Sequence, residues 1–403
     1  MRVTDGSGRT TPSGSSTFGQ SVATSPTLLA GRQVPWESGL PSSFNMIFRD
    51  EIVRLRELRS VYQQLYLDQA DGFLARRIAE GIEAGERGFF PANSVTFFPA
   101  YRPTFDEQNR GEKMTDFKTG TVTANGIRIS YQEKGEGPLL LCLHGFPDTP
   151  ATFDGVLDHF ADRGYQVVAP WLRGYNPSEI PGGSYQTAVL AQDVLDLITA
   201  LGHETAIVLG HDWGASCAAA AAILDPHKIS HLVTIAIPYG TMKRALVFDP
   251  TQQRRSWYMF FFQMAFAETA VAAADFAFLD RLWADWSVTI PVRERDLAKQ
   301  AFRHPGVLTA ALDYYRCLFQ PGRHDPAYDE RKRTIEAGKI AVPTLHIHGE
   351  SDGCAGVELL EGMEAFFEAG LTKVVVAGAG HFVHLEKLRE VVGAMETFLK
   401  ERS

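Results

Sequence analysis

Five residues, Gly210-His211-Asp212-Trp213-Gly214, limit what this chain can fold into more than any other stretch of it. They follow the apolar run Ala206-Ile207-Val208-Leu209 and precede a small-residue stretch with Ala215, Ser216, Ala218 and Ala219. A β-prone run, two glycines around one polar residue, and a run of helix formers predict a strand, a sharp turn and a helix. Such a turn lifts its middle side chain above the sheet, where it meets a ligand. Here that side chain is a carboxylate, Asp212. Ser216 lies four residues further on, inside the predicted helix, and is wrongly placed for the role. The plain alternative is that Asp212 only caps the helix.

The surrounding sequence has a matching rhythm. Thr121 to Tyr131, with Asn125-Gly126 in the middle, predicts a hairpin. Leu139 to Leu143 is a buried strand, followed by a helix from about Ala151 to Asp162 and a strand at Gln166 to Ala169. A helix over Gln186 to Leu201, the strand before the Asp212 turn, its Ala-rich helix to Leu224 and a strand at His231 to Ile237 complete one half. A strand from Val342 to His348, a helix, a strand from Lys373 to Val376 and a helix from Leu385 make the other. Strands alternating with helices predict an α/β fold with a largely parallel sheet covered on both faces. Between the halves, about Tyr239 to Arg333 is rich in Phe, Trp and Tyr without strand alternation. It predicts a helical cap inserted after strand six, over the sheet edge where open α/β sheets bind ligands. The expected division is 115–238 for the first part of the core, 239–335 for the cap and 336–403 for the second part.

The first hundred residues differ. Residues 1–43 are rich in Ser, Thr, Gly and Pro and hold too few large apolar side chains to offset ordering entropy, so disorder is expected. Residues 44–114 form a helical extension and linker. Ile47, Ile52, Leu55, Leu58, Tyr62 and Leu65, then Phe73, Leu74, Ile78 and Ile82, recur at helical spacing. That stripe packs on the main domain or on a partner subunit, and a homodimer is one arrangement it allows.

A net charge of −9 from scattered charges argues against nucleic acid or an anionic membrane as the main partner. Four cysteines, Cys142, Cys217, Cys317 and Cys354, lie far apart without a CxxC pair and read as reduced thiols. The N-terminus has no apolar signal region, and the most apolar stretch, Phe260 to Leu279, is broken by Gln263, Glu268 and Asp275. A cytoplasmic protein with a small-molecule substrate is expected.

A turn of the Gly-x-Asp-x-Gly kind on such a sheet resembles the α/β-hydrolase fold. That resemblance implies a histidine after the last strand and an acid after strand seven. Gly380-His381-Phe382 supplies His381, and His348-Gly349-Glu350-Ser351-Asp352-Gly353 supplies Asp352, with Glu350 as the fallback. The order Asp212, Asp352, His381 is the nucleophile–acid–base order of the fold. His144-Gly145-Phe146-Pro147 then supplies a backbone N–H at Phe146, which joins that of Trp213 in an oxyanion hole. The His144 side chain is expected to be structural. A carboxylate nucleophile gains little on an ester or amide, since the product is an anhydride. On an sp3 carbon bearing a strained oxygen or a halide it makes an alkyl-enzyme ester that water can cleave.

The motifs HGFP, GHDWGA, Arg173-Gly174-Tyr175 and GHFVHLEK are similar to those of the epoxide hydrolases, over Thr115 to the C-terminus. The resemblance implies hydrolysis of an epoxide to a vicinal diol, with two cap tyrosines activating the epoxide oxygen. Trp257 to Gln263 resembles the first tyrosine segment and Asp313 to Arg316 the second, which point to Tyr258 and Tyr315. These two, with Phe146 and Trp213, are the expected substrate contacts. The aromatic cap residues Phe260, Phe261, Phe262, Phe266, Phe276, Trp283 and Trp286 suggest an apolar or aromatic substrate. Trp171 departs from the family, which usually has an acid before its RGY. A haloalkane dehalogenase with the same triad is the alternative. It needs two N–H donors for a halide, and Trp213 with Trp283 or Trp286 would have to serve. A non-catalytic binding protein on the same scaffold is the other. No cofactor is called for: His346 and His348 with Cys354 suggest a metal site, but the histidine pair is expected to pack in its strand, and an Asp nucleophile needs no metal.

Overall fold

A computed structural model of the chain describes residues 117–401. The expected disordered segment 1–43 and helical extension 44–114 lie outside the described residues. Eight strands form one sheet in the order β1-β2-β4-β3-β5-β6-β7-β8. The hairpin β1 (Lys118–Ala124) and β2 (Ile127–Lys134) turns at Asn125-Gly126, where both residues have positive φ. β2 pairs antiparallel with β4 (Gln166–Pro170), and every pair from there on is parallel. The remaining strands are β3 (Leu139–Leu143), β5 (Ala206–His211), β6 (Ile229–Ile235), β7 (Thr344–Gly349) and β8 (Leu371–Val376).

β3 and β5 are buried along their whole length, as a central strand covered on both faces requires. One face packs on α1 (Asp154–Ala161) and on the C-terminal helix Leu388–Glu401, through Phe160, Met395 and Phe398. The other packs on α2 (Thr187–Ala200) and α3 (Trp213–Leu224). α3 carries alanine at five successive positions, Ala218 to Ala222, all buried. Small side chains let this helix lie close against the sheet behind Asp212.

Register sets the placement of the site. Leu143 pairs with Gly210 across β3 and β5, and Gly349 with Val376 across β7 and β8. The chain therefore leaves four strands at the same edge, delivering His144 to Phe146, Asp212, Asp352 and His381 together. Between β6 and β7 lies a purely helical insertion, as expected, that includes α4 (Thr241–Phe248), α5 (Pro250–Arg255), α6 (Trp257–Phe261), α7 (Ala267–Trp286), α8 (Val292–Phe302) and α9 (Val307–Phe319). It reaches the same edge: the Trp283 indole N–H donates to Pro147 O at 3.2 Å, and His381 N–H to Trp286 O at 2.8 Å. No helix among the described residues is long and apolar enough to cross a membrane.

Candidate active site

Asp212 occupies the turn between β5 and α3 with φ 51 and ψ −118, a conformation a non-glycine residue adopts at a cost of about 1–3 kcal/mol. The flanking glycines make it attainable. A Cβ on Gly210 would lie 2.2 Å from Gly214 O, and one on Gly214 would lie 1.9 Å from Leu143 O. Asp212 stands at the N-cap position, yet its side chain makes no capping hydrogen bond. The carboxylate is turned elsewhere. Its Oδ1 accepts the Phe146 N–H at 2.8 Å, and its Oδ2 lies 3.5 Å from His381 Nε2. The Trp213 N–H makes no hydrogen bond to it among the described residues.

His381 Nδ1 bonds Asp352 Oδ2 at 2.9 Å. Asp352 is held in turn, its Oδ1 accepting the N–H groups of Cys354 at 2.7 Å and Ala355 at 2.9 Å. Both residues are nearly inaccessible. Burial alone would push the His381 imidazolium down, but the Asp352 charge and hydrogen bonds to Asp212 and Asp352 outweigh it and hold the ring up at about 10. Asp352 is lowered despite burial, because the His381 charge and hydrogen bond favour its anion. The ring is thus held toward its imidazolium form by the Asp352 carboxylate. Glu350, the fallback acid, is exposed and accepts only the Gly378 N–H, away from His381.

Opposite Asp212 stand Tyr258 on α6 and Tyr315 on α9, both fully buried, their rings 5.7 Å apart. Burial first and the Asp212 charge among the lesser causes raise both phenols well above 10, so both remain O–H donors. Among the described residues the Tyr315 hydroxyl makes no hydrogen bond of good geometry, with the Trp213 side chain beside it, and that of Tyr258 is 3.4 Å from Cys354 Sγ. The two helices are pinned by Arg316, which donates to Phe262 O at 3.1 Å and pairs with Glu268 through both Nη atoms. Tyr314, next in sequence to Tyr315, points a different way. Its hydroxyl donates to Arg173 O at 2.7 Å, tying α9 to the RGY loop, where Arg173 makes a two-pronged, buried pair with Asp193 of α2. RGY therefore acts on packing. The aromatic set of the insertion also splits. Phe262, Trp283 and Trp286 are buried against the site, whereas Phe260 and Phe266 are exposed and do not line it.

His144 is structural as expected, with Nδ1 on Gly145 O and Nε2 accepting the Leu172 N–H. His346 and His348 form a hydrogen-bonded relay from Thr234 to Ala355 O. A group that sequence reasoning missed lies behind His381. His211 bonds the His381 carbonyl at 3.1 Å through Nε2, and its Nδ1 is 4.0 Å from Asp148 Oδ2. His384 lies tilted against it with ring centroids 4.5 Å apart and bonds Thr152 through Nε2 at 2.5 Å. Asp148 Oδ2, His211 Nδ1 and His384 Nδ1 are all buried without a hydrogen-bond partner among the described residues.

Burial raises Asp148 to about 8, outweighing the hydrogen bond from Thr149. Its folded value is thus above its ordinary 3.8. Between the two, the native protein keeps a proton that the unfolded chain releases, so stability falls as pH rises through that window and the loss is complete above about 8. Asp148→Asn removes the ionisable group at nearly constant shape. Its unfolding temperature relative to the parent is expected to rise steadily between pH 4 and pH 8, measured by thermal melts across that range. A constant difference would contradict a neutral Asp148.

The sequence from residue 138 to 388 matches the family model described as alpha/beta hydrolase fold. Epoxide hydrolase 3 of Xenopus tropicalis is 31% identical over 290 residues, which cover 69% of this chain and 76% of that protein. The chain belongs to the epoxide hydrolase family. The AB hydrolase superfamily protein YfhM of Bacillus subtilis (strain 168) is also 31% identical, over 72% of this chain and all of that protein. Among solved structures, the Bacillus megaterium epoxide hydrolase in complex with an inhibitor superposes with a TM-score of 0.60 at 30% identity. The match covers 70% of this chain and 100% of that one.

Proposed function

We propose that this epoxide hydrolase family member hydrolyses epoxides to vicinal diols through an ester on Asp212. The observation that carries this reading is the division of labour between the two carboxylate oxygens. Oδ1 is held by the Phe146 N–H, while Oδ2 is free to attack and lies beside His381. Family membership fits the substrate class.

In the first step Asp212 Oδ2 attacks one epoxide carbon, the C–O bond breaks, and the oxygen takes a proton from Tyr258 or Tyr315. Two O–H donors in a dry site favour the developing alkoxide far more than the ground-state ether. Forming the ester removes the Asp212 charge that helped hold the proton on His381. The ring then gives up that proton, restoring the tyrosine, and becomes the base for the second step. A water deprotonated at His381 Nε2 attacks the ester carbonyl carbon. The Phe146 N–H, joined by that of Trp213 as the carboxyl group shifts, receives the oxyanion at Oδ1. Collapse expels the diol oxygen, which takes the proton of the hydroxyl that water left on the carboxyl carbon, so Asp212 returns as a carboxylate; Asp352 orients the His381 ring throughout. The insertion acts as a cap, and its buried aromatic side chains with Phe146 favour an apolar or aromatic epoxide.

The haloalkane alternative requires two N–H donors for a halide, and the Trp283 indole N–H is already given to Pro147 O. Turnover of a panel of aromatic and aliphatic epoxides beside chloro- and bromoalkanes separates the two. Diol formation without halide release is expected. Halide release from the alkanes with epoxides untouched would sink the proposal.

A further inference from the structure

Cys354 contributes something the hydrolysis of an epoxide does not call on. Its side chain is fully buried in the site, and one ligand atom from each of Asp212, Cys354 and His381 lies within 4.8 Å of the others. The His381 Nε2 aimed into this group is buried, and among the described residues its nearest polar partner is Asp212 Oδ2 itself, at 3.5 Å. Carboxylate oxygen, imidazole nitrogen and sulfur are together the donor set of a zinc-like ion, and sulfur selects soft cations over magnesium or calcium. The far nitrogen of His381 is already bonded to Asp352, the carboxylate–histidine pairing that orients an imidazole on a metal. Asp212 Oδ2 and His381 Nε2 are 3.5 Å apart, close to the separation of two ligands on a tetrahedral ion with bonds of about 2.0–2.2 Å. We propose that Asp212, Cys354 and His381 form a binding site for a thiophilic divalent cation that excludes substrate.

Binding is a proton-for-metal exchange with no change of oxidation state. The cation takes the Cys354 sulfur as the thiolate and the neutral His381 Nε2, and the thiol proton and the imidazolium proton leave to water. Two protons leave and a doubly charged ion enters, so the charge inside the buried site is unchanged. That spares the cost of adding net charge to a dry site. The group Asp148, His211 and His384 also brings three ligand atoms within 4.8 Å, but it has no sulfur. Its Asp148 Oδ2 and His211 Nδ1 are 4.0 Å apart, nearly the full span of two metal bonds. A soft ion therefore chooses Cys354.

The binding claim stands on these side chains alone, and the inhibition claim rests on the epoxide hydrolase reading, so the two are measured separately. The full chain is titrated with Cd2+ while thiolate-to-cadmium absorbance is recorded, and in parallel epoxide turnover is followed under the same Cd2+ series and under Mg2+. The parent is expected to show a saturable one-site band and matching loss of turnover, with Mg2+ inert. Cys354→Val should lose the band, and the turnover it retains should resist Cd2+ by more than about 100-fold relative to the parent, the upper range for losing even an outer partner of a metal. Cys354→Ser, which preserves a hydrogen-bonding group beside Tyr258, should behave likewise and guards against misfolding of the valine variant. His384→Gln should remain as sensitive to Cd2+ as the parent. No band in the parent, a band that survives in Cys354→Val, or relief of inhibition by His384→Gln but not by Cys354→Val overturns the proposal. A parent that binds Cd2+ and continues to turn over epoxide overturns its inhibitory half.

Discussion

Replacing Asp212 by Ala is expected to abolish epoxide turnover, while His381→Gln is expected to stop the enzyme after one chemical event with the substrate bound covalently. The two outcomes differ because the residues act in different steps. Without Asp212 no atom in the site can attack carbon. Cys354 is the nearest other nucleophile, but burial and the neighbouring Asp352 and Asp212 charges push its thiol well above its usual range, so it stays protonated. Without the His381 imidazole the ester still forms, and only its hydrolysis lacks a base. Intact-mass measurement after epoxide addition should show His381→Gln heavier by one substrate and Asp212→Ala unchanged. Digestion should place the adduct on the peptide holding Asp212.

The second large effect concerns the two phenols. Each hydroxyl aimed at a developing alkoxide should contribute about 2–3 kcal/mol, so Tyr258→Phe or Tyr315→Phe should slow alkylation about 30- to 150-fold. The double variant should be nearly inactive toward epoxides. Ester hydrolysis should hardly change, because no charge develops on the former epoxide oxygen in that step. Single-turnover alkylation and hydrolysis rates separate the two. Tyr315, whose hydroxyl makes no hydrogen bond of good geometry among the described residues, should be at least as sensitive as Tyr258, which shares its hydroxyl with Cys354. A dehalogenase would instead lose most from Trp213→Phe, and wild-type alkylation in both tyrosine variants would remove the main support for epoxide chemistry.

The α/β architecture was legible because its signals are local: β-prone runs alternating with helical ones, and an Asp between glycines at a strand end. The places of Asp352 and His381 followed from the resemblance to the fold, and the structure brings both beside Asp212 at one sheet edge. Tyr315 was picked over Tyr314 by resemblance alone. Periodicity cannot choose between neighbours on a helix, and both are buried; the hydroxyl of Tyr314 is consumed by Arg173 O. Composition could not say which cap aromatics line a pocket and which are simply cap surface or core, because it says nothing of which helix face turns inward; Phe260 and Phe266 turn outward. The group Asp148, His211 and His384 was invisible for a similar reason. Each belongs to a different motif, and only the shared exit edge of β3, β5 and β8 makes them neighbours. Cys354 read as a scattered thiol or as a companion of His346 and His348, whereas the turn after β7 sets its sulfur beside Tyr258.

The central claim, that Asp212 becomes an ester, is tested most directly by one turnover in heavy-oxygen water with enzyme in excess over epoxide. Water attacks the ester carbonyl, so the oxygen that leaves with the diol comes from Asp212 and the solvent oxygen remains on the carboxylate. The first-turnover diol should be unlabelled and the Asp212 peptide labelled. A fully labelled diol with an unlabelled Asp212 would mean that water attacks the epoxide carbon itself, and the account would be wrong.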